Sequence, residues 1–432
     1  MSDFSRADVA HLLRRAAFGG TAAEIDALMT LATWEAVVDR VLDTSANPAD
    51  PIPTAVESRT DPWYGVWVAG VHHWMDRMVT SPTPVVEKLT LFWHSNLASS
   101  MHGALPRLVF KQVRTYRSLC IGDLHALMTA MAKDPAMLNY LDNARNMAGA
   151  TNENFARELM ELFLLGNGAF TETDVVEMAR AWTGHGLDST GERYLFQSNE
   201  HDPTNKTIFG ITRAWDGPET ITEMVRGSRQ QTCARFIATK LWSFYAAPNP
   251  SAEIVDALAQ AFIAGNMEVR ALLRAIFLRP EFRLAATRTA LVRSPVEWLV
   301  VAMRATGLRS SVAHPEWFLD RLGQVLYQPP NVAGWRQNAA WISTSVQWGK
   351  GSFANYLAWK ADEAGVLAET ENLAPSLAVQ AAFDRFGVDD PSPVTRARLE
   401  EYVSRERTAS RRWAIPANLV TLTLLSPDVQ LA

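Results

Sequence analysis

Residues 151–184, TNENFARELMELFLLGNGAFTETDVVEMARAWTG, constrain this chain more than any other stretch. Apolar residues recur at helical spacing on both sides of a glycine turn, so the segment writes two amphipathic helices. Each must bury an apolar stripe, and the rest of the sequence offers mostly the same kind of element to bury it against.

Helix signals run along most of the chain. Ser5-x-x-Asp8 opens a helix with Val9, Leu12, Leu13 and Ala16 on one side, and Gly19–Gly20 ends it. Thr21-x-x-Glu24 caps a second helix with Ile25, Leu28 and Met29 inward, and a third carries Trp34, Val37, Val38, Val41 and Leu42. Residues 44–62, with Pro48, Pro51, Pro53 and Pro62, read as a loop. Helices are expected at 63–79, 84–97, 106–119 and 123–142, with four or five over 218–306 and three or four over 341–432. Residues 327–340, YQPPNVAGWRQNAA, are a Pro/Gly-punctuated loop. Residues 186–217 lose the helical period; there Arg193–Ser198 and Lys206–Phe209 suit one minor β-hairpin near 193–209, or a long ordered loop. No βαβ rhythm and no fixed repeat is present. The expected fold is all-α, a large multi-helix single domain over 1–432.

Net charge is −5, which argues against nucleic acid as the main partner, since phosphate binding needs clustered Lys and Arg. No window is long and apolar enough to span a membrane. Two cysteines, Cys120 and Cys233, cannot form a disulfide framework; they read as reduced thiols, with a single bridge as the alternative. Arg14–Arg15 lie inside an amphipathic helix with no signal-type apolar region after them, so the expected location is cytoplasmic, with export requiring a signal-bearing partner. Trp34, Trp63, Trp67, Trp74, Trp93, Trp182, Trp242, Trp298, Trp335 and Trp341 sit mostly among apolar neighbours and read as core fillers; the rival reading is an aromatic platform for a glycan or polymer.

Candidate chemistry centres on the helix 152–165. Phe155, Ala156, Leu159, Leu162 and Phe163 form its core face. Glu153, Arg157 and Glu161 recur on the other side, with Asn154 and Glu158 beside them. This is either intrahelical ion pairing or a carboxylate pair, Glu158 and Glu161, that binds a divalent cation or acts as acid and base. Thr171-x-x-Asp174 starts the next helix, with Gly184 at its end. His94 closes LTLFWHSN and suits a backbone bond or a ligand role, whereas His72 and His73 show no ligand spacing. His201–Asp202, with Lys206 close behind, lies in the irregular segment, where a loop histidine beside a carboxylate suits catalysis and an Asx-turn ahead of Pro203 suits structure. The standard zinc, nucleophile-elbow and phosphate-loop signatures are absent.

The segments HLLRRAAFGG, LTLFWHSNLASS, KDPAMLNYLDNARN, NENFARELMELFLLG, FTETDVVEMARAWTG, HDPTNKTIFG, FIATKLWSFY, VRSPVEWLV and QPPNVAGW follow one another over 8–345. In that order they resemble a bacterial family described as domain of unknown function 1800. The resemblance implies a mostly helical fold over 8–345, a helical extension over 346–432, and no established activity. It also implies company with a second family, domain of unknown function 1501, similar to sulfatases and alkaline phosphatases and commonly exported. The chain departs from the family pattern at Thr151, at Ala169 and Phe170 by the glycine turn, and at His185, where the family usually has Trp.

Three expectations follow. The first is metal-assisted or acid–base hydrolase-like chemistry at a polar pocket joining helix 152–165, His94 and the His201–Asp202 loop. There Glu158, Glu161, His94 and His201 would be metal ligands or proton carriers, Arg157 would hold an anion, and Asp202 would orient a histidine. The second is a non-catalytic assembly partner of the exported sulfatase-like protein, and the third a glycan-binding protein.

Overall fold

The computed structural model describes residues 3–57 and 63–431, and helices dominate them. The capping signals act as their chemistry dictates. At Ser5/Asp8, Thr21/Glu24 and Thr171/Asp174 the hydroxyl accepts from a backbone N–H of the first turn while the carboxylate accepts from the cap's own N–H. They start the helices Arg6–Ala16, Ala22–Met29 and Glu172–Ala181. The proline-rich loop holds one short helical turn, Thr54–Glu57, and Pro62 lies outside the described residues.

Local chemistry departs from the simple periodic reading at three places. The helix expected over 123–142 is two, Leu124–Ala132 and Pro135–Tyr140. Pro135 has no N–H to extend the first helix, and Asp134 caps the second by accepting from Ala136 and Met137. Both pieces bury their apolar residues, so the hydrophobic pattern runs across the break. The central helix is regular only over Asn154–Glu158 and then widens into a π-helical turn, Leu159–Leu164. The wider turn buries Met160 and Leu164 with Phe155, Leu159 and Phe163, and leaves Leu162 only partly covered. Finally, the irregular segment forms two antiparallel hairpins: His185–Leu187 pairs with Tyr194–Phe196, and Lys206–Ile208 with Ile211–Arg213. The two segments expected to make a hairpin are thus each paired with a nearer neighbour, the second across a tight turn in which Phe209 and Gly210 both have positive φ.

Buried side chains gather into two clusters. One is built on the N-terminal helices, the central pair and the helices from Gly217–Arg226 to Val269–Leu278. The other joins Trp63–Thr80 and Pro295–Thr306 to the C-terminal helices Thr344–Glu363, Pro375–Phe386 and Ile415–Leu425. The helix Pro84–Asn96 serves both: Val85, Leu89, Phe92 and Trp93 face the first cluster, and Leu91 faces the second. Nine of the ten tryptophans named above are buried, so they are core fillers; Trp63 alone is exposed. No helix among the described residues is long and apolar enough to cross a membrane.

Candidate functional site

The structure distributes the expected site residues over three places. Arg157 lies on the surface, where it bonds Glu172 at 2.7 and 2.9 Å and Glu153 at 3.4 Å. This is the ion-pairing reading, and its cause is simple exposure: Glu172 is 78% exposed, so little desolvation or catalytic leverage is available there. Glu158 is half-buried; burial and then the neighbouring Glu161 raise its pKa. His94 is fully enclosed by the rings of Trp74, Tyr327 and Trp335. Its Nε2 accepts from the backbone N–H of Tyr327 at 3.1 Å, and burial drives its pKa down to about 3. It is a neutral core histidine. Among the described residues, no hydrogen bond or ion pair links His94, the Glu158–Glu161 pair and His201 to one another.

The His201 loop folds instead onto the end of helix Glu172–Ala181. Gly184 permits this: it has φ +74°, and a Cβ there would meet Gln197 O at 2.6 Å and His201 N at 3.0 Å. Asp202 is an ion-pair and turn residue, bonding Arg180 at 2.9 Å and the Thr204 N–H at 2.9 Å. Those partners overcome its burial and hold its pKa at about 2. Lys206 is buried and donates to three backbone carbonyls, of Asp202, Thr204 and Trp215, which tie the loop together. Asp202 therefore does not orient His201. The partners His201 does acquire, His185 and Asp216, are residues to which the sequence reading gave no role.

A separate cavity lies at the seam between the two clusters. It has a volume of about 50 Å³ and is lined by Arg15, Lys88, Leu91, Ser95, Ser294, Glu297, Gln324, Phe244, Trp335 and Trp341, among others. Five of the segments that carried the resemblance supply these walls: HLLRRAAFGG, LTLFWHSNLASS, FIATKLWSFY, VRSPVEWLV and QPPNVAGW. Gly334 shows how tightly the last one is pressed in, since a Cβ there would sit 1.9 Å from Ser95 O on helix Pro84–Asn96.

The charge balance of this cavity is uneven. Arg15 and Lys88 line it and are buried, Arg293 is buried nearby without lining it, and the carboxylate that acts on all three is Glu297. Lys88 forms an ion pair with Glu297 in which the side chains are 5% and 12% exposed, so water screens it little. Burial alone would raise the Glu297 carboxyl, but Lys88 and Ser294 reverse this and leave its pKa below the ordinary value. For Arg15 and Arg293 burial, reinforced by repulsion from neighbouring guanidiniums, depresses the pKa. Arg15 donates through Nη2 to Thr287 O, while its Nε and Nη1 have no partner among the described residues. Arg15 shares this with several other buried side chains, among them His94 at Nδ1 and Arg117 at Nη2, but it is the one of these that lines the cavity. Sequence reasoning missed these residues although a signal exists: Arg15, Lys88 and Arg293 each interrupt apolar runs where an inward side chain is due.

The model of a family described as "Protein of unknown function (DUF1800)" matches residues 11–431, and the chain belongs to that family. The match continues well past residue 345, where the recognisable motifs end. No curated protein and no solved structure matches the chain.

Proposed function

We propose that this protein binds a small molecule bearing a phosphate, sulfate or carboxylate group in the seam cavity, and that Lys88 and Glu297 exchange protons with it. The acid–base, hydrolase-like chemistry expected of the central helix is thereby moved to a buried Lys–Glu pair, where low dielectric gives such groups leverage. The observation that carries the reading is the surplus of buried positive charge around Glu297, with Arg15 Nε and Nη1 unpaired. An uncompensated buried charge is costly, and a bound anion removes that cost. Arg15 supplies the planar donor fork that matches an oxyanion, and Trp335 and Trp341 supply apolar walls for the rest of the ligand.

Thermal unfolding in the presence of inorganic phosphate, sulfate, short carboxylates and phosphorylated sugars tests this. A ligand of the native state raises the midpoint progressively with concentration. The rise should vanish in Arg15→Met and persist in Arg157→Ala. If no anion in the panel shifts the midpoint, or Arg15→Met responds like the wild type, the reading is wrong.

A second reading, assembly with an exported sulfatase-like partner, draws on a different observation. Trp348 and Trp359 stand on one face of helix Thr344–Glu363, 75% and 63% exposed, and Ile342 is exposed beside that helix. Co-purification with the neighbouring sulfatase-like protein, lost in Trp348→Ser/Trp359→Ser, would support it. Failure of the wild type to co-purify would remove it.

A further inference from the structure

The two hairpins converge on a constellation that the seam cavity does not involve. His185 begins strand His185–Leu187, His201 lies between the hairpins, and Asp216 precedes the helix Gly217–Arg226. Potential ligand atoms of these three residues all lie within 4.8 Å of one another. The two imidazole rings are 6.2 Å apart and perpendicular. Gly217 allows the approach, because a Cβ there would sit 2.6 Å from the Trp182 ring, which packs against His185.

Each imidazole is oriented by an outer partner. His201 Nδ1 lies 2.9 Å from Thr183 O, an acceptor only, so Nδ1 carries the proton and Nε2 is left with a free lone pair. That Nε2 makes no hydrogen bond among the described residues. His185 Nδ1 lies 2.8 Å from the Tyr194 hydroxyl, and its Nε2 donates to Asp216 Oδ1 at 2.8 Å, a proton that a bound ion would displace. A ring Nδ1 held by a carbonyl, as in His201, or by a hydroxyl, as in His185, is the outer contact that orients a metal-ligating imidazole.

We propose that His185, His201 and Asp216 form a binding site for a divalent first-row transition ion, ligated through the two Nε2 atoms and the Asp216 carboxylate, with Tyr194 and the Thr183 carbonyl as outer partners. Two imidazoles and one carboxylate suit Zn²⁺, Co²⁺ or Fe²⁺ and leave coordination positions for water or substrate. Oxygen-seeking Mg²⁺ and Ca²⁺ are poor matches. A second group of similar composition, His72, His314 and Glu316, differs in a telling way. There both imidazoles bond the one buried carboxylate, at 2.7 and 3.0 Å, whereas at the hairpins only His185 bonds Asp216, which also caps helix Gly217–Arg226, and His201 Nε2 is left over.

The test is titration of chelator-treated protein with Co²⁺ and Zn²⁺, read by ligand-field absorption for Co²⁺ and calorimetry for Zn²⁺. One ion per chain is expected. Removing an outer partner weakens metal sites about 10–100-fold, so Tyr194→Phe should fall in that range, and His201→Gln and Asp216→Asn beyond it. Glu316→Gln should bind as the wild type does. Circular dichroism confirms that each variant is folded, and Tyr194→Phe keeps the test decisive should a ligand variant not fold. Absence of stoichiometric binding, indifference to His201→Gln and Tyr194→Phe, or loss only in Glu316→Gln would overturn the proposal.

Discussion

Replacing Glu297 by glutamine probes the seam cavity most sharply, because it removes one charge and almost no volume. Lys88, Arg15 and Arg293 would then surround a neutral amide. With the Glu297 side chain 12% exposed and that of Lys88 5%, little screening offsets the loss, and breaking a buried pair from one side costs about 3–5 kcal/mol. That is a large part of the ~5–15 kcal/mol that holds a typical protein folded, so urea unfolding followed by tryptophan fluorescence will resolve it. The structure further predicts an asymmetry. Lys88→Met leaves Glu297 with two guanidiniums and lowers the surplus of positive charge, so it should cost less than about half of the Glu297→Gln loss, since the remaining carboxylate is not orphaned. The pH dependence has a definite sign. Glu297 has its pKa depressed on folding, so its contribution is present above the ordinary carboxylate pKa and fades as pH falls through the folded value. Glu297→Gln should therefore flatten the decline in acid. Equal losses for Lys88→Met and Glu297→Gln, or a Glu297→Gln loss under about 1 kcal/mol, would show a balanced or solvated pair and refute the reasoning.

Three other outcomes follow from the geometry. Gly334→Ala combines a positive-φ cost of roughly 1–2 kcal/mol with overpacking of about 1–3 kcal/mol against Ser95, and chemical denaturation should show their sum. Arg157→Ala should cost under about 1 kcal/mol and leave anion-induced stabilisation unchanged, because its partner Glu172 is solvent-exposed. Stability should fall as pH drops below about 6.5, the ordinary histidine value, because buried His94 stays neutral down to about 3 while the unfolded chain takes up a proton; His94→Gln should reduce that slope.

Helices were legible in the sequence wherever periodicity and caps agreed, as at Ser5/Asp8, Thr21/Glu24 and Thr171/Asp174. Breaks were not legible where the apolar pattern ran across them, as at Asp134–Pro135, nor was the π-turn at Leu159–Leu164, whose wider winding leaves no mark in residue spacing. The site was harder. Glu158, Glu161 and Arg157 attracted attention because charges on a helix face are conspicuous, yet conspicuous charges are commonly the solvated ones. Arg15, Lys88, Arg293 and Glu297 are distant in the chain, so although the cations interrupt apolar runs, no local spacing shows that they meet. His201 stood out through its loop, but His185 and Asp216 join it through backbone approaches at Gly184 and Gly217 that only the folded chain displays.

Anomalous diffraction from crystals soaked in selenate tests anion binding in the seam cavity. A selenium peak is expected inside the cavity, with oxyanion oxygens about 2.7–3.2 Å from Arg15 Nε and Nη1, absent in Arg15→Met. Selenium at surface positions alone, with Arg15 still unpaired or bonded only to water, would contradict it.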